Sequence, residues 1–296
     1  MTAFEHVAVL MGGTSAERDV SLRTGQAVVA ALRAAGYRVS AVDVTAERLD
    51  LPEAVDAVFI ALHGTFGEDG QVQALLYEAG VPYAGSGPAA SRTAFDKCAS
   101  KELFIAQDLP TPAYEVLRAP AARTLPLPVV VKPARQGSSF GIHRVFREAD
   151  WPAAYADAAS YDEQVLVEAY IAGRELTVGV VGDDVLPVLE ICAPDGNYDY
   201  HAKYTAGVTT YHVPADLPPA QAAACQELAR RAFRALGCEG FGRVDFRMAP
   251  DGTAYILEVN TIPGCTATSL LPKAAQAAGI AFPELCDRII RTASVH

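Results

Sequence analysis

The sequence predicts an α/β protein, with an α+β arrangement in its central part, on three observations. Strands alternate with helices over roughly the first ninety residues, the pattern of a parallel sheet with functional loops at its strand ends. Two short apolar strands then flank a glycine- and serine-rich loop at 129–142. Near the end, a hairpin pattern at 242–264 carries carboxylates on one face. The 296 residues leave room for two or three cores, and 51% apolar with 20% charged residues is an ordinary globular balance. A net charge of −11 argues against a nucleic-acid or anionic-membrane partner, which needs a basic face. The six cysteines form no CxxC pair, and no run of 18 apolar residues occurs. Both point to a soluble cytoplasmic protein without a disulfide framework.

Residues 6–11 read as a buried strand ending in Gly12-Gly13, followed by a helix from about 16 to 35. Strands at 38–44 and 57–62, a helix at 71–79 and a further short strand continue the alternation. Neither GxGxxG nor GxxxxGK[ST] is present, so this first part is expected to hold a small substrate and not a nucleotide. Glu17 and His63 stand at its strand ends as candidates. An acid in a first helical turn and a satisfied loop histidine are the ordinary alternatives.

A helix over 95–108 carries Lys97 and Lys101, and a proline-rich connector spans 118–128. In the following strand–loop–strand, Lys132 enters a loop whose small residues let backbone N–H groups approach an anion; a plain tight hairpin explains the same glycines. Only five of the 24 basic residues are lysines, a weak hint that a compact point charge is wanted at each. After a strand at 164–170, residues 195–211 have no clean period and hold four of the twelve tyrosines, with Lys203 and Tyr204. They read either as an active-site lid or as a structured surface loop. An amphipathic helix at 218–236 leads into the hairpin. Beyond it, Ser269 opens a helix, as a cap or as part of a carboxylate-binding N-terminus. A last helix is expected at 283–292.

Centring a two-residue turn on Asp251-Gly252 sets the hairpin register. Val244 then opposes Val259, Phe246 opposes Leu257 and Met248 opposes Tyr255 on an apolar face. Asp245 opposes Glu258 and Arg243 opposes Asn260 on the polar one. Opposed carboxylates about 5 Å apart repel unless they share a cation. With the Asn oxygen they make a donor set suited to Mg²⁺ and phosphate. An exposed, loosely compensated face is the bland alternative.

Assembled, these pieces resemble the D-alanine–D-alanine ligases of the ATP-grasp superfamily over essentially the whole chain. The matching stretches are Gly12-Gly-Thr-Ser-Ala-Glu-Arg18, Leu62-His-Gly64, Asp96-Lys97, Val131-Lys-Pro with Gly137-Ser-Ser-Phe-Gly141, Lys203-Tyr204, Gly242-Arg-Val-Asp245, and Leu257 to Gly264 with Ser269-Leu-Leu-Pro272. The resemblance implies a Rossmann-like N-terminal domain (1–93), a small central ATP-grasp domain (94–175) and a C-terminal ATP-grasp domain with the metal site and lid (176–296). It implies that Lys97, Lys132, Ser139 and Lys203 contact ATP, that Glu168, Tyr170 and Ile171 lie along the adenine, and that Glu175 meets the ribose. Asp245, Glu258 and Asn260 would hold two Mg²⁺ ions, with Mn²⁺ as a substitute. Glu17 would bind the first D-alanine's ammonium near His63, and Ser269 with Leu270 would hold the second carboxylate. Arg243 and the Gly264 N–H would stabilise the oxyanion, and Ser138 and Tyr204 would close the lid through Glu17. The family is usually homodimeric. Ala134, Gln136 and Ala169 depart from its commonest pattern.

Overall fold

The computed structural model describes residues 4–118, 122–196, 198, 202, 203, 205 and 207–296. Three sheets follow one another along the chain. The first has the order β2-β1-β3-β4 and is all parallel, built from β1 (His6–Gly12), β2 (Arg38–Val44), β3 (Ala57–Ile60) and β4 (Tyr83–Ala84). β1 is buried along its whole length because both its faces are covered. Val7, Val9 and Met11 pack toward α1 (Arg18–Ala34), while Ala8 and Leu10 join the core under α2 (Gln71–Glu78).

The helix expected over 95–108 is α4 (Lys97–Ala106), and a second helix, α3 (Pro88–Phe95), stands directly before it where none was expected. Asp96 breaks them apart: its extended backbone leaves the first helix, and its side chain accepts from the N–H groups of Cys98 and Ala99 to cap the second. The cap fixes where Lys97 and Lys101 point.

The second sheet, β5-β8-β6-β7, is antiparallel, with β5 (Tyr114–Leu117), β6 (Val129–Pro133), β7 (His143–Val145) and β8 (Val165–Ala169). Val129, Val131, Val165 and Val167 pack on α5 (Trp151–Tyr161). Alternation therefore turns Lys132 and Glu168 to the opposite face.

The third sheet runs β12-β11-β9-β13-β14, with β9 (Arg174–Val181), β11 (Leu189–Cys192), β12 (Thr210–His212), β13 (Phe241–Met248) and β14 (Ala254–Asn260), and with β10 (Asp184–Val185) beside β9. The expected limit at 175/176 thus falls inside β9. One face of this sheet packs on α6 (Pro219–Ala235) through Leu176, Val178, Val244, Phe246 and Phe233. The other turns Glu175, Arg243, Asp245 and Glu258 toward the cavities it shares with the second sheet. Two helices, α7 (Leu270–Ala277) and α8 (Phe282–Ile290), return to the first sheet and share its core through Leu271, Leu285 and Ile289.

The hairpin register is correct at the polar end and shifted at the turn end. Arg243 opposes Asn260, Val244 opposes Val259 and Asp245 opposes Glu258, but Phe246 opposes Ile256 and Met248 opposes Ala254. Two irregularities cancel. The turn is longer than two residues: Ala249 N–H bonds to Thr253 C=O, Gly252 N–H bonds back to Ala249 C=O, and Gly252 is left-handed at φ 89°. That moves the pairing by one, and a bulge at Leu257 restores it. In consequence Ile256, not Leu257, fills the core.

Candidate active site

Between the sheets lie two adjoining cavities of about 450 Å³ and about 140 Å³. Glu258, Arg243, Lys203, Tyr198, Ser139 and Ile142 line both.

One wall of the larger cavity is formed by the segments that follow β1 and β3, with Glu17 and His63. Glu17, just before α1, is buried, and its carboxylate accepts from the Ser138 hydroxyl instead of capping the helix. Glycine at 64 and 137 makes room for that carboxylate: a Cβ there would lie 2.9 and 2.8 Å from Glu17 Oε2. Burial, with the charge of Glu68 added, raises the Glu17 carboxyl above its ordinary value. His63 is buried between Thr24, 3.2 Å from its Nε2, and Glu68, 3.4 Å from its Nδ1.

Ser138 and Ser139 are both left-handed, at φ 48° and 62°, an uncommon pair for non-glycine residues. The Ser139 hydroxyl donates to Tyr198 C=O at 3.2 Å and so ties this loop to Tyr198. Tyr204 lies outside the described residues. Across the cavity are Gly264 and the start of α7. Ser269 occupies the N-cap position, yet its hydroxyl meets Thr266 at 2.8 Å and makes no capping bond. Helical N–H groups at Leu270 are left to face an acceptor.

The smaller cavity is floored by Lys132, Glu168 and Glu175, edged by Tyr170, Ile171 and Ala169, and closed by Leu257, which the bulge turns out of the core. The Glu168 carboxylate is consumed by Lys101 at 2.6 Å and Lys132 at 2.7 Å, so only its backbone remains for a ligand. Burial pushes Glu175 up to about 6, against the opposing charge of Arg247 at 3.2 Å.

At the junction Arg243 forks Asp245 with two contacts of 2.8 Å, and Thr177 donates to the same carboxylate at 2.6 Å. Lys97 bridges Gln136 C=O at 2.8 Å and Glu258 at 3.2 Å. Burial alone would raise Glu258, but Lys97, Lys132 and Lys203 outweigh it and hold the carboxyl at about 2. Burial lowers Lys203, with Glu258 opposing. Asn260 Oδ1 accepts from the Ile262 N–H at 3.0 Å. No cluster of three or more His, Cys, Asp or Glu suited to a metal occurs among the described residues. The candidate donor set is therefore two carboxylates and an amide, all hard oxygens with an ionised Glu258 at the centre, which fits a hydrated Mg²⁺.

All described candidates line one cavity or the other. Sequence reasoning missed Glu68, Thr177, Tyr198, Arg247 and the role of Lys101. Arg247 was findable, since it alternates with Arg243 and Asp245 on one strand face. Lys101 stands four residues after Lys97, on the same helix face. Tyr198 had no comparable signal. The six cysteines are free, and no helix among the described residues is long and apolar enough to cross a membrane.

Comparison with known proteins identifies a family. A family model described as the D-ala D-ala ligase C-terminus matches residues 103–291, and one for the D-ala D-ala ligase N-terminus matches 46–86. The chain is 47% identical to a D-alanine–D-alanine ligase of Methylacidiphilum infernorum, covering 96% of this chain and 94% of that protein. It is 50% identical to one of Syntrophotalea carbinolica, covering 98% and 96%. Among solved structures it resembles the D-alanine–D-alanine ligase of Bacillus anthracis complexed with ATP, with a TM-score of 0.85, 32% identity and 97% coverage of both chains.

Proposed function

Because the chain belongs to the D-alanine–D-alanine ligase family, with its ATP-grasp fold, we propose that it joins two D-alanines at the expense of ATP, releasing ADP and phosphate for peptidoglycan synthesis. The observation that carries this reading is the shared wall. The cavity with Glu17, Arg243 and the α7 N-terminus meets the cavity with Lys132 and Glu175 at Glu258 and Lys203.

ATP takes the smaller cavity, with adenine along the 168–171 backbone and ribose on Glu175. Lys97, Lys132, Ser139 and Lys203 meet the phosphates. Asp245, Glu258 and Asn260 hold Mg²⁺, which when bound offsets the charge on the phosphates; Mn²⁺ can replace it. The first D-alanine lies in the larger cavity, its ammonium on Glu17 and its carboxylate near His63. That carboxylate attacks the γ-phosphoryl group, the bond to the β–γ bridging oxygen breaks and ADP departs, giving an acyl phosphate, a step governed by positioning and charge. The second D-alanine docks its carboxylate on Ser269 and the Leu270 N–H. Its free amine attacks the acyl carbon, and Arg243 and the Gly264 N–H stabilise the oxyanion before phosphate leaves. Ser138, held by Glu17, and Tyr204 belong to the lid that keeps water from the acyl phosphate.

The division at 1–93, 94–175 and 176–296 is part of this proposal, with the last limit moved to the start of β9. So are a homodimeric assembly and a cytoplasmic location, where ATP and reduced thiols coexist.

The test is ADP release from the purified protein with Mg-ATP and no amino acid, D-alanine, L-alanine, or D-alanine plus D-lactate, with products weighed by mass spectrometry. ADP with a dipeptide mass only where D-alanine is present is the expected result, and chelation of the metal should abolish it. ATP binding without ADP under any condition would overturn the ligase reading.

A further inference from the structure

Lys101 is a fully buried charge to which the proposed chemistry gives no task. It sits on α4 one turn beyond Lys97 and does not line either cavity. Its Nζ is 2.6 Å from Glu168 Oε1, within 3.5 Å of Pro112 C=O, and donates to the Thr111 hydroxyl. Thr111 spends its own proton on Ile256 C=O at 2.8 Å, so it must accept from Lys101. Three acceptors around one nitrogen require three N–H donors, which only the ammonium form has.

Glu168 is thereby clamped between two lysines, Lys101 behind and Lys132, at 2.7 Å, on the cavity side. Alone with Glu168, Lys132 would be half of a neutral pair and would present no net charge to an anion. With Lys101 neutralising the carboxylate from behind, the trio carries one positive charge, and the part of it facing the cavity is Lys132. Both buried lysines lower the Glu168 carboxyl against the upward pull of burial, which keeps it ionised.

We propose that Lys101 is a positioning residue for ATP: it balances Glu168 so that the charge of Lys132 is free for the nucleotide's phosphates. The proposal rests on the smaller cavity being the ATP site. It separates charge supply from mere scaffolding, because adenosine fills the same pocket without phosphates.

The experiment measures ATP and adenosine binding by titration calorimetry for the wild type, Lys101→Met, and the double variant Lys101→Met/Glu168→Gln. Lys101→Met should weaken ATP at least about tenfold, equivalent to about 1.4 kcal/mol, while adenosine changes far less. The double variant removes both buried charges, leaves Lys132 cationic, and should recover most of the ATP affinity. Equal weakening of both ligands, unchanged ATP binding in Lys101→Met, or no recovery in the double variant would overturn the role. If Lys101→Met does not fold, the double variant decides: ATP affinity near wild type supports the proposal, and a loss confined to ATP refutes it. Failure of the wild type to bind ATP would instead sink the assignment of the cavity.

Discussion

Ile256 and Leu257 are neighbours in sequence with similar hydrophobicity, yet the bulge assigns them opposite tasks, and this can be measured. Ile256 is fully buried among Leu176, Val244 and Phe246. Truncating it to alanine removes three carbons from a close-packed core and should cost about 2–5 kcal/mol of stability. Leu257 is partly exposed and lines the smaller cavity. Leu257→Ala removes as many carbons, but from a wall that a bound base covers. At about 0.8 kcal/mol per methylene, full coverage is worth roughly 2 kcal/mol, or some tens-fold in ATP affinity. Its effect on the unliganded fold should stay below about 1 kcal/mol. Urea denaturation without ligand reads the first quantity and ATP titration the second. The crossing pattern is the prediction: Ile256→Ala moves the midpoint, Leu257→Ala moves the dissociation constant. A Leu257→Ala variant that loses as much stability as Ile256→Ala and binds ATP normally would refute the bulge assignment and restore the regular register.

Two further outcomes follow from the larger cavity and the ribose carboxylate. Gly137→Ala places a Cβ 2.8 Å from Glu17 Oε2, which burial and Ser138 leave little room to yield. The KM for D-alanine should rise about tenfold or more, with melting temperature nearly unchanged; a normal KM would show that Glu17 does not meet the substrate. Burial lifts Glu175 from 4.5 to about 6, so between those values the folded chain keeps a proton the unfolded chain has lost. Its contribution to stability therefore falls as pH rises through that window. ATP affinity runs the other way, because only the ionised carboxylate accepts two ribose hydroxyls. Titrations from pH 5 to 7.5 should show binding strengthen, and Glu175→Gln should flatten the profile; an unaltered profile in that variant would assign the pH dependence elsewhere.

Much of this protein is written in local pattern. A continuous apolar run made β1 a strand buried on both faces, and glycine pairs marked its end, because those features depend only on residue type and period. The opposition of Asp245 and Glu258 was legible for the same reason, and the family motifs named the residues that line the cavities. Tertiary structure decided the rest. The turn around Pro250 and the bulge at Leu257 each shift the ladder by one, and two cancelling shifts leave no trace in alternation. Only packing against α6 chose Ile256 for the core. The helix at 88–95, ahead of the expected one, was not legible either, and the capping side chain of Asp96 divides the two. Charge balance lies further still from sequence. Lys101, Lys132 and Glu168 come from one helix and two strands, 67 residues apart at their extremes. Their meaning as one net positive charge arises only when folding strips their water and sets them within hydrogen-bonding distance.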